Sequence, residues 1–310
     1  MTEKTNEIEV FSTSQYIELI TSKVKSVEKL PNNKPDYWFF RGQTNSNFNI
    51  MPSIGRNINK NSNLLQYENN MIVIAQMKSP EEFTNIKYPL NMLAKMQHYG
   101  LPTRLLDVSR NALVGLFFAC NKDFNKDGKV FCFRSQDSVL HCYSAAANLI
   151  SSTYKLYEKS NLVNAIRILK YEESFPRRFR DNNDNSMVKG LYICFQKPWF
   201  VLPELISERE RRQQAAFILF PNALEIKGDT MDEYRILQRI QGIDEKNFDS
   251  TELIIKIPNK AKKIILDELR IIGISEDFLF PELATVCSSI KNDTAKRFEE
   301  IDDNIDMNSI

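Results

Sequence analysis

"YWFFRGQ", Tyr37–Gln43, runs four aromatic side chains directly into an arginine, a glycine and a glutamine. Dense aromatic content over so few residues, after the breaker "PNNKP" (Pro31–Pro35), predicts a short strand rather than a helix. An arginine closing an apolar strand needs solvent, a carboxylate or an anionic ligand. Arg41 is therefore the sharpest single site candidate, with an ion pair to Asp107 as the structural alternative. Gly42, without a side chain, lets backbone or ligand approach closely.

The elements around this strand follow from periodicity and breakers. Residues 8–28 carry helical spacing and "TSQYIELI" opens like a capped helix. Asn45–Asn63 reads as a loop, and Leu64–Met77 as a helix. In "NMLAKMQHYGLPTRLLDVSRNALVGLFFACN", a helix over Asn91–His98 stops at Gly100. A turn or extended piece follows at "LPTRLLD", then a second, buried helix. "KVFCF" (Lys129–Phe133), "PWFVLP" (Pro198–Pro203), "AAFILF" and "STELIIKIP" are strands, and "KAKKIILDELRIIG" is a helix. Residues 138–189 are helical and polar, ending in a mobile loop at "DNNDNS". Short strands among helices, with no regular β-helix-β period, predict an α+β fold in which Phe40, Val130, Phe200 and Phe217 share one sheet. The polar, acidic last twenty residues, 291–310, read as a disordered tail.

Composition narrows the function. With 42% hydrophobic residues in 310, the chain can fill a substantial core. Lys plus Arg total 41 against 40 Asp plus Glu, so any electrostatic recognition is local. Five cysteines without a C-x-x-C motif argue against a disulfide framework or zinc ribbon, and a reducing cytoplasm is the simplest setting. The longest apolar run, Ala112–Cys120, is too short to span a bilayer. Two histidines, His98 and His141, exclude a three-histidine metal site. Phosphate-loop, nucleophile-elbow, metalloprotease and dinucleotide-fingerprint motifs are all missing. Nine glycines leave little room for phosphate loops, so a bound phosphate would be held by arginines.

Three further clusters carry candidate chemistry. "QHYGLPTRLLD" gathers His98, Tyr99, Thr103, Arg104 and Asp107 in one tight polar turn. His98 can act as base or donor to a ligand. The structural alternative has His98 and Tyr99 capping a helix and Arg104 paired with Asp107. "SERERRQQ" places Glu208, Arg209, Glu210 and Gln213 before a strand, where Gln213 can hold a ribose hydroxyl or amide and a glutamate can do acid-base work. A solvated charged face is the alternative. "FPRRFR" combines Arg177, Arg178 and Arg180 with two aromatics, a composition suited to phosphate contact and base stacking.

Taken in order, "FFRGQ", "KMQHYGLPTRLLDVSRNALVGLFFAC", "GKVFCF", the Arg209, Gln213, Ala215, Phe217 spacing and "GISEDFLFPEL" resemble the FRG-domain proteins, a bacterial and phage-associated group. The resemblance runs from about Trp38 to Leu283. It implies one FRG-type domain over 1–290, with a core at 36–134 and 190–290, a helical insertion at 135–189 and a C-terminal α/β extension. The family layout is in turn similar to that of ADP-ribosyltransferases, with a mixed or antiparallel sheet core. That similarity implies NAD as substrate and ADP-ribose transfer to a macromolecule, RNA or DNA favoured over protein, in a cytoplasmic toxin or anti-phage effector that an antitoxin can partner, away from membranes. By the same resemblance, the catalytic set is Arg41, His98, Glu208, Glu210 and Gln213, and the NAD-binding set is Arg41, Gly42, Gln43, Tyr99, Thr103, Arg104 and Arg209. Arg177, Arg178 and Arg180 would meet a nucleic-acid acceptor, and no metal is expected. Two other readings stay open: a non-catalytic nucleotide- or partner-binding module, and nucleic-acid processing without NAD.

Overall fold

The structure, a computed structural model, describes residues 7–27, 36–59, 62–135, 139–156, 160–172, 184–228, 233–282 and 285. Its strands are β1 (Glu7–Glu9), β2 (Tyr37–Gln43), β3 (Asn57–Asn59), β4 (Ser62–Asn63), β5 (Leu105–Ser109), β6 (Gly128–Ser135), β7 (Leu140–His141), β8 (Trp199–Leu202), β9 (Ala215–Leu219), β10 (Leu224–Ile226), β11 (Tyr234–Ile236) and β12 (Thr251–Ile257). Eight of them form one mixed sheet in the order β1-β12-β6-β2-β5-β9-β8-β7. The inner pairings from β12 to β8 are antiparallel, and the outermost strand on each side pairs parallel. Phe40, Val130, Phe200 and Phe217 all lie in this sheet, as the sequence predicts, and the fold is α+β.

Side-chain alternation along β2 explains its aromatic run. Successive residues of a strand face opposite sides of a sheet, so Phe39 and Phe40 enter different cores. Phe40 joins Val130, Cys132 and Ile255 beneath α1 (Thr13–Ser26) and α4 (Ala112–Cys120), with α9 (Lys262–Ile271) on the same side. Phe39 lies on the other face with Phe131, Phe133 and Phe200, stacked on Phe200 with ring centroids 4.5 Å apart. Burying each such ring is worth about 1.5–3 kcal/mol. A third cluster packs the remaining helices against Leu105, Phe217 and Leu219. These are α2 (Glu68–Lys78), α3 (Pro89–His98), α5 (Ala145–Ser151), α6 (Leu162–Leu169) and α7 (Asp184–Phe195). Two short helices, α8 (Glu208–Arg212) and α10 (Glu276–Leu279), flank the start of β9 and the end of the described chain.

Several expectations need adjustment. The first helix starts at Thr13, capped by the Ser12 hydroxyl, which accepts from the Gln15 amide at 3.3 Å. Residues 7–9 before it are a strand on β12, too short to show a period of its own. The loop expected at Asn45–Asn63 contains β3 and β4. The segment expected to be wholly helical includes β7, which edges the sheet beside β8. Of the loop expected at "DNNDNS", residues 181–183 lie outside the described residues, while Asp184, Asn185 and Ser186 begin α7, residue types that suit a helix start. Cys120, Cys132, Cys142 and Cys194 are free and buried, and burial pushes the Cys120 thiol up to about 12 and the Cys194 thiol up to about 11. Among the described residues no helix is long and apolar enough to cross a membrane.

Candidate functional site

The sheet is split at its centre. β2 pairs with β6 at seven positions from Tyr37 to Gln43, and β5 pairs with β9 at five. Yet β2 and β5 share a single register pair, Phe40 with Ser109. Beyond it the two strands part, and Arg41 reaches across the gap to donate from Nη1 to the Asp107 carbonyl at 2.6 Å. A cleft of about 490 Å³ opens there, walled by α3, α4, α8 and Phe280.

Gly42 is explained by what lies over it. A Cβ at Gly42 would overlap the Gly115 carbonyl of α4, and a Cβ at Gly115 would stand 2.8 Å from that of Phe40. Two glycines thus bring the α4 backbone onto β2. The partner approaching Gly42 is a helix, although the residue still edges the cleft. In "FRG" the phenylalanine is core, the arginine faces the cleft and the glycine seats the helix.

The FRG domain matches residues 36–128. The match runs from the residue before β2 to the first residue of β6 and takes in under a third of the chain. It carries the Arg41, Gly42, Gln43 and His98 side of the cleft, while Arg209, Glu210 and Gln213 come from beyond it. No curated protein and no solved structure matches the chain.

Of the FRG-segment candidates, Arg41, Gly42, Gln43 and His98 line the cleft. Tyr99 does not: it is 72% exposed and meets His98 edge-on. Thr103 is buried below the floor, donating its hydroxyl to Gln97 Oε1 and accepting from the Leu105 amide. Arg104 is also outside the cleft, only 1% exposed. Its guanidinium pairs with Glu68 and donates to Asn222 Oδ1 at 2.8 Å and to the Thr153 hydroxyl. The pair expected between Arg104 and Asp107 is not formed. Three residues apart on extended chain, they sit about 10 Å apart and face opposite sides. No contact of Arg104 leaves it free for a dinucleotide.

On the second wall, Glu210 and Glu208 part company. Glu208 is exposed, and hydrogen bonds from Arg212 and then Arg211 hold its carboxyl below the usual range; it does not line the cleft. Glu210 does, and it is buried. The capping box fixes it: Ser207 Oγ accepts from the Glu210 amide at 3.1 Å, and Glu210 Oε2 accepts from the Ile206 and Ser207 amides at 2.9 Å each. Gln213 donates from Nε2 to the Leu279 carbonyl at 3.1 Å. Arg209 stacks over Phe280, 4.5 Å from the ring centre, 3.8 Å from Glu282. Arg177, Arg178 and Arg180 lie outside the described residues.

Two electrostatic features single this cleft out. Among the described residues seven buried side-chain polar atoms lack a hydrogen-bond partner, and three of them, Arg41 Nε, Gln43 Oε1 and Glu210 Oε1, belong to its lining. Native folds leave few such atoms, so their concentration in one cleft marks a place for a polar guest, water or ligand. Arg41, moreover, has no ion-pair partner within 4 Å among the described residues; it contacts the backbone of Asp107 and not its carboxylate. Burial pushes the Arg41 pKa down to about 10, against the opposing pull of Asp107 and with the help of Arg56. The folded chain therefore sheds this proton before the unfolded chain does. Arg41 opposes folding below that pH, and the opposition relaxes as pH rises through about 10. An arginine perturbed in this way and left without an ion-pair partner in a cleft is a functional-site candidate.

Arg56, Lys122, Phe118 and Phe280 also line the cleft; Phe118 and Phe280 lie in the blocks ending "GLFFAC" and "FLFPEL", but nothing in the local sequence marks Arg56 or Lys122. Arg56 comes from the Asn-rich stretch and Lys122 from the turn after α4, and only tertiary structure brings these cations beside Arg41. A larger cleft of about 810 Å³, lined among others by Trp199, Phe248 and Arg239, holds none of the candidates and none of the seven unpartnered atoms. The smaller one holds Arg41, His98, Glu210 and Gln213 together with three of the unpartnered atoms.

Proposed function

We propose that this protein is an ADP-ribosyltransferase-like enzyme that binds NAD in the split-sheet cleft and transfers ADP-ribose to a macromolecular acceptor. The observation that carries the reading is that Arg41, His98, Glu210 and Gln213 line one cleft, with Arg41 unpaired and Glu210 buried with one oxygen bare. Arg41, with Arg56, Lys122 and Arg209 nearby, supplies the positive field that a pyrophosphate needs without a glycine loop. The volume falls in the range of small-molecule sites, roughly 300–1,000 Å³.

In the reaction the bond between ribose C1′ and the nicotinamide nitrogen breaks, its electron pair leaving with nicotinamide, and an acceptor lone pair forms the new bond to C1′. Positive charge builds on the ribose as the bond opens. A fixed carboxylate stabilises it, because Glu210 is already oriented by two backbone amides and needs no reorganisation. Gln213 is neutral and cannot do this; its amide ties α10 to the cleft wall and leaves the charge to Glu210. His98, half-buried at the end of α3 and lining the cleft, takes the acceptor's proton in this reading.

A binding-only module is the second reading, favoured by the capping role that already occupies one oxygen of Glu210. Incubation of the protein with labelled NAD and cell extract separates the two. Label should reach a macromolecule, RNase or protease treatment should identify its class, and Glu210→Gln should cut transfer by roughly 100-fold. NAD binding without transfer would favour the module, and no binding at all would end the proposal.

A further inference from the structure

Gln43 ends β2 on the floor of the cleft and is only 4% exposed. Its amide is poorly used by the protein. Nε2 donates to the Asn49 carbonyl at 3.5 Å, the outer limit of a hydrogen bond, and Oε1 has no donor. The opposite amide orientation would set Oε1 against the Asn49 carbonyl, oxygen to oxygen, so the orientation is fixed. The neighbour across the ladder gives no help: Lys129, opposite Gln43, directs its ammonium to Glu245 at 3.1 Å. A methionine of similar length would fill this place without a half-satisfied polar group, so the fold alone does not ask for an amide here.

We infer that Gln43 is the specificity-determining residue of the cleft, reading a ligand edge on which an N–H donor stands beside an sp² acceptor. An amide presents a donor and an acceptor side by side, and such an edge answers both at once, as the adenine N6 and N7 edge does for glutamine. A primary carboxamide offers the same pattern. The inference rests on the nucleotide reading of the cleft, and NAD carries both edges, one at each end. Arg41, two residues back on the strand, holds the anion, and Gln43 selects what is attached to it. A sugar phosphate without such an edge leaves Gln43 unanswered, and discrimination is strongest where a buried polar group of the protein is left unpaired.

The test is calorimetric titration of the wild-type protein and of Gln43→Met with nicotinamide mononucleotide, ADP-ribose and inorganic pyrophosphate. The first ligand carries only the carboxamide edge, the second only the adenine edge, the third neither. The expected result is roughly tenfold weaker binding of one edge-bearing ligand by the variant, with pyrophosphate binding changed less than about twofold. The weakened ligand identifies the edge. Retained pyrophosphate binding shows that the variant is folded. If the variant binds every ligand as the wild type does, or loses all three alike, the assignment is wrong and the NAD reading is untouched. If the wild type binds neither edge-bearing ligand, both this inference and the NAD reading fall. Absence of ADP-ribose transfer with Gln43 discrimination intact would remove the transferase alone.

Discussion

Within "FRG" three adjacent residues answer to three different demands. Phe40 is buried apolar surface, Arg41 a cation facing the cleft with no ion-pair partner among the described residues, and Gly42 a space the size of a hydrogen atom under α4. Gly42→Ala should destabilise the protein by about 1–3 kcal/mol or more, because the new methyl group meets backbone that cannot swing aside. Chemical denaturation measures this; an unchanged midpoint would mean that α4 is not held against β2 as described. At this scale the sequence was informative about Arg41, since a charge at the end of an aromatic strand demands an explanation. It was misleading about Arg104, whose partner Glu68 lies 36 residues away and leaves no local trace.

Among elements, α8 matters most, a helix of five residues from Glu208 to Arg212. Its capping box does two things: it starts the helix and it orients the Glu210 carboxylate toward the cleft wall. Ser207→Ala removes one of the paired hydrogen bonds and should cost about 0.5–2 kcal/mol. Transfer activity should fall with it, as the carboxylate loses the geometry that the helix start imposes. Stability lost with activity intact would separate Glu210 from the chemistry. "SERERRQQ" displayed the serine and glutamate at capping-box spacing, but a charge run in sequence does not reveal which carboxylate turns inward. The arginines settle it: Arg211 and Arg212 both take Glu208, leaving Glu210 to the backbone. Strands rich in aromatic and branched residues were legible from their composition; β1 and β7, of three and two residues, were not, because they exist only by pairing with β12 and β8.

For the whole molecule, the decisive feature is a sheet that is continuous except at its middle. β2 and β5 are joined by one register pair and one arginine, and cations scattered from residue 41 to residue 209 converge on the gap. That the strands would share a sheet followed from the α+β pattern, but the split could not, since register between distant strands is a property of packing. Whether Arg41 serves a ligand rather than the fold is decided by one paired measurement: NAD affinity by calorimetry and melting temperature, each for wild type and Arg41→Ala. Losing one hydrogen bond to the Asp107 carbonyl costs about 1 kcal/mol, partly offset by relief of a half-buried cation. For Arg41→Ala, a melting temperature within a few degrees of wild type and NAD binding weakened by at least roughly tenfold are expected. A large fall in melting temperature with NAD affinity unchanged would contradict the ligand role of Arg41.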